Sequence, residues 1–157
     1  MIKNIAYWLL SASLLLISCT KEAETTIPDW SFRPLDCDMR QAAYISLRSP
    51  GEFIEISSYQ NGYPIGYAGI IVGLSSTVMD FNGELEYFAF DSACPVEADR
   101  SVAVRIDDGD RGKATCPKCG ARFDLNNGGT PISGSDNFMK RYTVIKVSQD
   151  IIRITGD

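Results

Sequence analysis

Two thiols separated by Pro117 and Lys118, with Gly120 directly after the second, confine this chain more tightly than any other stretch of it. Proline fixes one φ and glycine admits a positive one. Cys116-Pro117-Lys118-Cys119-Gly120 therefore closes into a tight knuckle, with both sulfurs directed to one point and backbone N–H groups within their reach. Ala121 to Leu125 alternates weakly and reads as a short strand, and Asn126-Asn127-Gly128-Gly129 reads as its turn. A knuckle of this kind needs a small β domain around it to hold it in place.

The remainder of the chain supplies one. Ala43 to Leu47 and Glu52 to Ile56 are short strand-like runs separated by Arg48-Ser49-Pro50-Gly51, a turn signal. Tyr67 to Leu74 is apolar with embedded Gly69 and Gly73, as expected of a buried strand with a close backbone neighbour. Asn82-Gly83 predicts a hairpin turn into Leu85 to Phe90, and Val102 to Ile106 predicts a further strand. Arg141 to Val147 and Ile151 to Ile154 close the chain as two alternating strands. No capped amphipathic helix is legible after the leader. Short strands broken by frequent turns predict an all-β barrel or sandwich.

Composition removes most chemistry. The 157 residues include no histidine, which excludes Ser-His-Asp and Cys-His nucleophilic machinery and the usual general base near neutral pH. A net charge of −5 with no basic stripe argues against a nucleic-acid partner. A non-enzymatic role is the expectation. Asp107-Asp108-Gly109-Asp110 lacks the spacing of a calcium loop and reads as a solvated turn. Tyr59, Tyr63 and Tyr67 read as aromatic packing near β-turns, with no ligand built on them. Cys-Pro-x-Cys is also the pattern of thiol–disulfide oxidoreductases, but their reactive thiol opens a helix, and here a strand follows. The five cysteines are what remains for unusual chemistry.

Residues 1–18 read as an export leader, with Lys3 as the positive start and Ile5 to Ile17 as the apolar stretch. The end of that leader, Leu16-Ile17-Ser18-Cys19, resembles a bacterial lipobox. That resemblance implies cleavage before Cys19 and a lipid on its sulfur, anchoring the protein to a membrane of the bacterial cell envelope, expected to be the outer membrane. Residues 19–28 then form the lipidated cysteine and a polar, solvated tether, and 29–157 the β domain.

A strand from Tyr87, the loop Cys94-Pro95, an excursion to Cys116-Pro117-Lys118-Cys119-Gly120, the Phe123-Asp124-Leu125 strand, a Gly turn, a Gly-containing loop over Pro131 to Gly134 and a Tyr142-x-Val144 strand follow one another in order. From Glu84 to Thr155 this succession resembles the Rieske-type [2Fe–2S] domain, in particular the Rieske-like lipoproteins of Gram-negative anaerobes such as the Bacteroides group. The resemblance implies a small β barrel or sandwich with an inserted cluster-binding subdomain, its loops spanning about 91–134. In that family each of two facing loops gives one thiolate and one imidazole, the thiolates going to one iron and the imidazoles to the other. Cys94 and Cys116 match the thiolate positions, whereas Val96 and Cys119 stand where the two histidines belong. A standard two-histidine centre is thereby excluded.

Three alternatives remain open for this site. Cys94, Cys116 and Cys119 bind zinc or a similar ion with a fourth ligand from Cys37, Glu97, Asp91 or Asp99. They hold a [2Fe–2S] cluster of altered ligation. Or they hold no metal, which is the leading expectation, and two of them are bridged, as exported proteins favour. The resemblance implies that Cys94 and Cys116 face each other, making that the expected pair, with Cys116–Cys119 second. Cys37 is then free, bridged to Cys119, or the fourth ligand. Any protein partner is undefined at this level.

Overall fold

The computed structural model describes residues 24–156. The leader, Cys19 and the tether up to Ala23 lie outside the described residues, so the lipidation reading falls outside them too.

The described residues form ten strands and two short 3-10 turns, an all-β fold. β1 (Leu35–Asp38), β2 (Phe53–Ile56), β3 (Ile70–Met79), β4 (Leu85–Asp91), β9 (Arg141–Lys146) and β10 (Ile151–Thr155) make one antiparallel, curled sheet in the order β1-β10-β9-β4-β3-β2. β5 (Arg105–Ile106), β6 (Lys113–Thr115), β7 (Arg122–Asp124) and β8 (Thr130–Ser133) make a second sheet of four short strands. All of the second sheet is inserted between β4 and β9, which are themselves paired through Ala89↔Tyr142 and Phe90↔Arg141. The insert thus leaves and rejoins the large sheet at one place.

The apolar run in β3 has a direct cause. Ile71 packs with Phe88, Phe90, Phe123 and Leu125 in a core between the two sheets, while Ile70 and Val72 pack with Leu47, Ala89, Ile152 and Ile154 on the opposite face. A strand buried on both faces carries side chains of one kind at every position. The second sheet docks through Asn126, which is almost fully buried. Its Oδ1 accepts from the Ser76 N–H at 2.9 Å, and its carbonyl accepts from Ser75 Oγ at 2.8 Å. A Cβ on Gly112 would fall 1.9 Å from Asn126 Nδ2, so only glycine lets the insert close over this residue.

The joint between sheet and insert is Asp91, fully buried at the end of β4. Its carboxylate accepts from Tyr142 Oη at 2.6 Å, and from the N–H groups of Tyr67 at 2.5 Å, Ala68 at 3.2 Å and Ala93 at 2.7 Å. A buried charge survives only when it is hydrogen-bonded in this way.

Several expectations need correcting. Ala43 to Leu47 is not a strand: Gln41, Tyr44 and Leu47 each donate N–H to the carbonyl three residues back, ending in the 3-10 turn Ile45–Arg48, with Leu47 buried. The strand expected from Val102 shrinks to Arg105–Ile106, because residues 102–104 instead bond the loop after β4, through Val102 O to Cys94 N and Val104 N to Ser92 O. The loop expected at Pro131 to Gly134 holds an edge strand, β8, where a proline costs no ladder bond. The tether is docked from Glu24 onward: Ile27 is buried, Thr26 Oγ1 donates to the Pro95 carbonyl, and Glu24 O accepts from Phe138 N at 2.8 Å.

Asp91→Ala orphans two buried and two part-buried donors and is expected to cost about 3–5 kcal/mol, and Tyr142→Phe about 1.5–3 kcal/mol. Denaturant midpoints of the two variants measure both. Equal, near-zero losses would show that the carboxylate is not the joint.

Candidate metal centre

Cys94 and Cys116 lie at the edge of the core between the sheets and are fully buried, whereas Cys119 is exposed. Their three Sγ atoms all lie within 4.8 Å of one another, and Cys94 Sγ to Cys119 Sγ measures 3.6 Å. These residues form a three-thiol group with the spacing of metal ligands. All four described cysteines are free thiols, so neither the Cys94–Cys116 bridge nor its two alternatives is formed. Even Cys94 and Cys119 Sγ stand 3.6 Å apart against the roughly 2.05 Å of a disulfide, and Cys37 lies in a separate core away from the other three.

The holding is local. In the second loop the Gly120 N–H donates to Cys116 O at 2.9 Å and the Cys116 N–H donates to Ala121 O at 2.8 Å, with Gly120 at φ +75°. This is the knuckle expected from the sequence. The N–H groups of Lys118 and Cys119 point at Cys116 Sγ. The first loop repeats the arrangement: Ala98 N–H donates to Cys94 O at 2.9 Å, and the N–H groups of Val96 and Glu97 point at Cys94 Sγ.

These donors compete with burial. Burial pushes the Cys116 thiol up, but its backbone donors together with the thiols of Cys94 and Cys119 outweigh it, and the net shift is downward. For Cys94, burial wins over the N–H groups of Glu97 and Val96, and contact with the other two thiols adds to it, so the shift is upward. One group of three thus contains an acidic and a reluctant thiol. A bound cation would draw both into thiolate form.

No family model matches this sequence, and no curated protein matches it. Function therefore rests on the site itself.

The other candidates fall away from the group. Cys37 sits on β1, opposite Ile152, fully buried in the core on the far face of the large sheet, and joins none of the three thiols. Spacing along the chain carries no sign of this, because the short strand Leu35–Asp38 alternates over only four residues. Asp91 is committed to its four donors. Asp99 accepts from Ser101 N and Oγ, both at 2.8 Å, and the bond from the Ser101 N–H leads the causes that hold its carboxyl below the usual range. Val96 is exposed and carries no donor atom on its side chain. Glu97 is ion-paired with Lys118 at 2.5 Å. Asp107 and Asp110 bind Arg122 at 3.1 and 2.8 Å across the β5–β6 turn, as a turn closed by an ion pair. No helix follows Cys119, since the chain passes directly into β7. Among the tyrosines, Tyr67 stacks edge-on against Trp30, with Arg100 over both rings, and Tyr63 is exposed.

Burial, with a smaller push from the Asp36 charge, raises the Cys37 thiol from 9.0 to about 12. The unfolded chain loses this proton from about pH 9 upward while the folded chain keeps it to about pH 12. Stability then falls as pH rises through that window, by up to about 4 kcal/mol. Cys37→Ala should flatten this part of the curve of denaturant midpoint against pH. An unchanged slope would refute the assignment.

Proposed function

We propose that this chain is a lipid-anchored envelope module of Rieske-like fold whose inserted subdomain holds one thiophilic ion of the zinc class in a three-cysteine site, in a structural rather than an enzymatic role. The observation that carries the reading is the convergence of Cys94, Cys116 and Cys119 within 4.8 Å. Zinc–sulfur bonds of about 2.3 Å at the tetrahedral angle set neighbouring sulfurs about 3.8 Å apart. The 3.6 Å between Cys94 and Cys119 Sγ fits that edge. A dinuclear cluster divides its terminal ligands between two irons, whereas these three sulfurs surround a single point.

The role follows from where the sulfurs sit. Cys94 belongs to the loop leaving β4, and Cys116 and Cys119 to the turn between β6 and β7. An ion shared by all three ties the insert to the large sheet. When bound, a zinc-class ion supplies cross-linking without redox change, and the three cysteines and their backbone N–H donors hold it. The anchor reading concerns the same end of the molecule. Glu24 docks beside Phe138 and Thr26 on Pro95, so about seven residues at no more than about 3.6 Å each connect Cys19 to the first thiol loop. An anchor on Cys19 then keeps Pro95, at the first thiol loop, within about 25 Å of the bilayer surface.

Elemental analysis and a denatured thiol count on anaerobically purified protein test the metal reading. The expected result is one zinc-class ion per chain, no visible absorption and full thiol content. Cys116→Ser should lose the ion and melt lower by on the order of 10 °C. Two irons with visible absorption would move the site to an electron-transfer centre, and a metal-free protein short of two thiols would make it a bridge.

Cys19→Ser tests the anchor separately. The variant should no longer incorporate labelled fatty acid or partition into the membrane fraction, and unchanged partitioning would remove the lipoprotein reading.

A further inference from the structure

The two thiol loops are copies of one device. Cys94-Pro95-Val96-Glu97-Ala98 and Cys116-Pro117-Lys118-Cys119-Gly120 share the cysteine, the proline and the backbone bond from the fifth residue to the first, at 2.9 Å in both. In both, the N–H groups of the third and fourth residues point at the first sulfur. In both, the fifth residue has positive φ, +75° at Gly120 and +50° at Ala98. Ala98 is the one non-glycine residue with positive φ among the described residues. A Cβ disfavours that conformation, so the loop keeps the knuckle shape against local preference.

Within this repeat, Glu97 occupies in the first loop the place that Cys119 occupies in the second. We infer that Glu97 is the fourth ligand of the ion, giving a site of three thiolates and one carboxylate, an assignment that rests on the metal-binding reading above. Carboxylate oxygen is an ordinary zinc donor and completes a tetrahedral set. The other candidates are spent elsewhere: Cys37 on the far face of the sheet, Asp91 on four donors, Asp99 on Ser101. Among the described residues Glu97 has a single ion-pair partner, the Lys118 ammonium at 2.5 Å, and its carboxylate lies outside the 4.8 Å group. Lys118 is largely exposed, so water can take over its ammonium when the carboxylate leaves. Loading the site therefore moves Glu97 from Lys118 to the ion, and Lys118 competes with the ion for the carboxylate.

Cobalt titration of the reduced, detergent-solubilised full chain tests this, because Co²⁺ reports its ligands in its absorption. Wild type should give thiolate-to-cobalt charge transfer with the ligand-field bands of a tetrahedral three-sulfur, one-oxygen site. Glu97→Gln should weaken cobalt roughly tenfold or more and alter those bands. Glu97→Cys should tighten binding and shift the bands to a four-sulfur pattern with added charge-transfer intensity. Lys118→Ala, which leaves every ligand in place, should strengthen binding in wild type and do so less in the Glu97→Gln background. Identical bands and affinity in wild type and Glu97→Gln would overturn the assignment while leaving the three-thiol site standing. Absence of any charge-transfer band in wild type would overturn the metal reading itself, and this inference with it.

Discussion

A carboxylate with no exposed surface has to find donors, and the ones Asp91 finds decide where the insert stands. Its oxygens bind the turn over Tyr67 and Ala68, the strand β9 through Tyr142, and the start of the first thiol loop through Ala93. The Asp91 N–H also donates to Lys140 O at 2.8 Å. Departure of the insert from β4 and its return into β9 are therefore fixed at one buried charge. Asn126 fixes the other side of the insert to β3. With both in place, the four short strands, each too small to be stable alone, inherit the rigidity of the large sheet.

On that frame the thiols are subject to two opposing effects. Burial favours neutral sulfur, and N–H groups directed at sulfur favour thiolate. Cys116 and Cys94 receive the same pair of backbone donors from the third and fourth loop residues, yet shift in opposite directions. Burial leads for Cys94, whereas the backbone donors, joined by the neighbouring thiols, outweigh it for Cys116. Such a pair is poorly matched to remaining as three neutral thiols and well matched to a shared cation, which lowers the cost of every thiolate together.

Much of this architecture was legible where the physics is local. The knuckle follows from Pro117 and Gly120, the β3–β4 hairpin from Asn82-Gly83, and β9 and β10 from alternation. Legibility ended where tertiary partners decide. Residues 102–104 have strand composition but spend their hydrogen bonds on the loop after β4. Pro131 hides an edge strand, and Ala43 to Leu47 has β-forming residues but only Leu47 is fully buried, with Tyr44 packed partly against the same core. The site was half legible. The meeting of Cys116 with Cys119 was expected from their spacing, and the approach of Cys94 to them only from the resemblance. The exclusion of Cys37 was not, because a face of a sheet cannot be assigned from four residues. The likeness of the two loops was also concealed, since alanine stands where glycine marks the second knuckle and glutamate where cysteine does.

Replacing nitrogen donors by sulfur changes more than the ligand count. In a two-iron centre of the Rieske kind, imidazoles serve the second iron and help set its potential. On the proposed Rieske-like reading, one histidine position is an exposed valine, which can bind nothing, and the other is a thiol 3.6 Å from Cys94 Sγ. Shared between two metals, the three thiols would give one of them two ligands and the other a single one, whereas a lone ion would have all three. The donors therefore favour one ion over two. Three thiolates around a single d¹⁰ ion make a site that carries no electrons and whose contribution is the free energy of holding two loops together. On this reading the insert retains the two-loop clamp of an electron-transfer domain as a mechanical fastening.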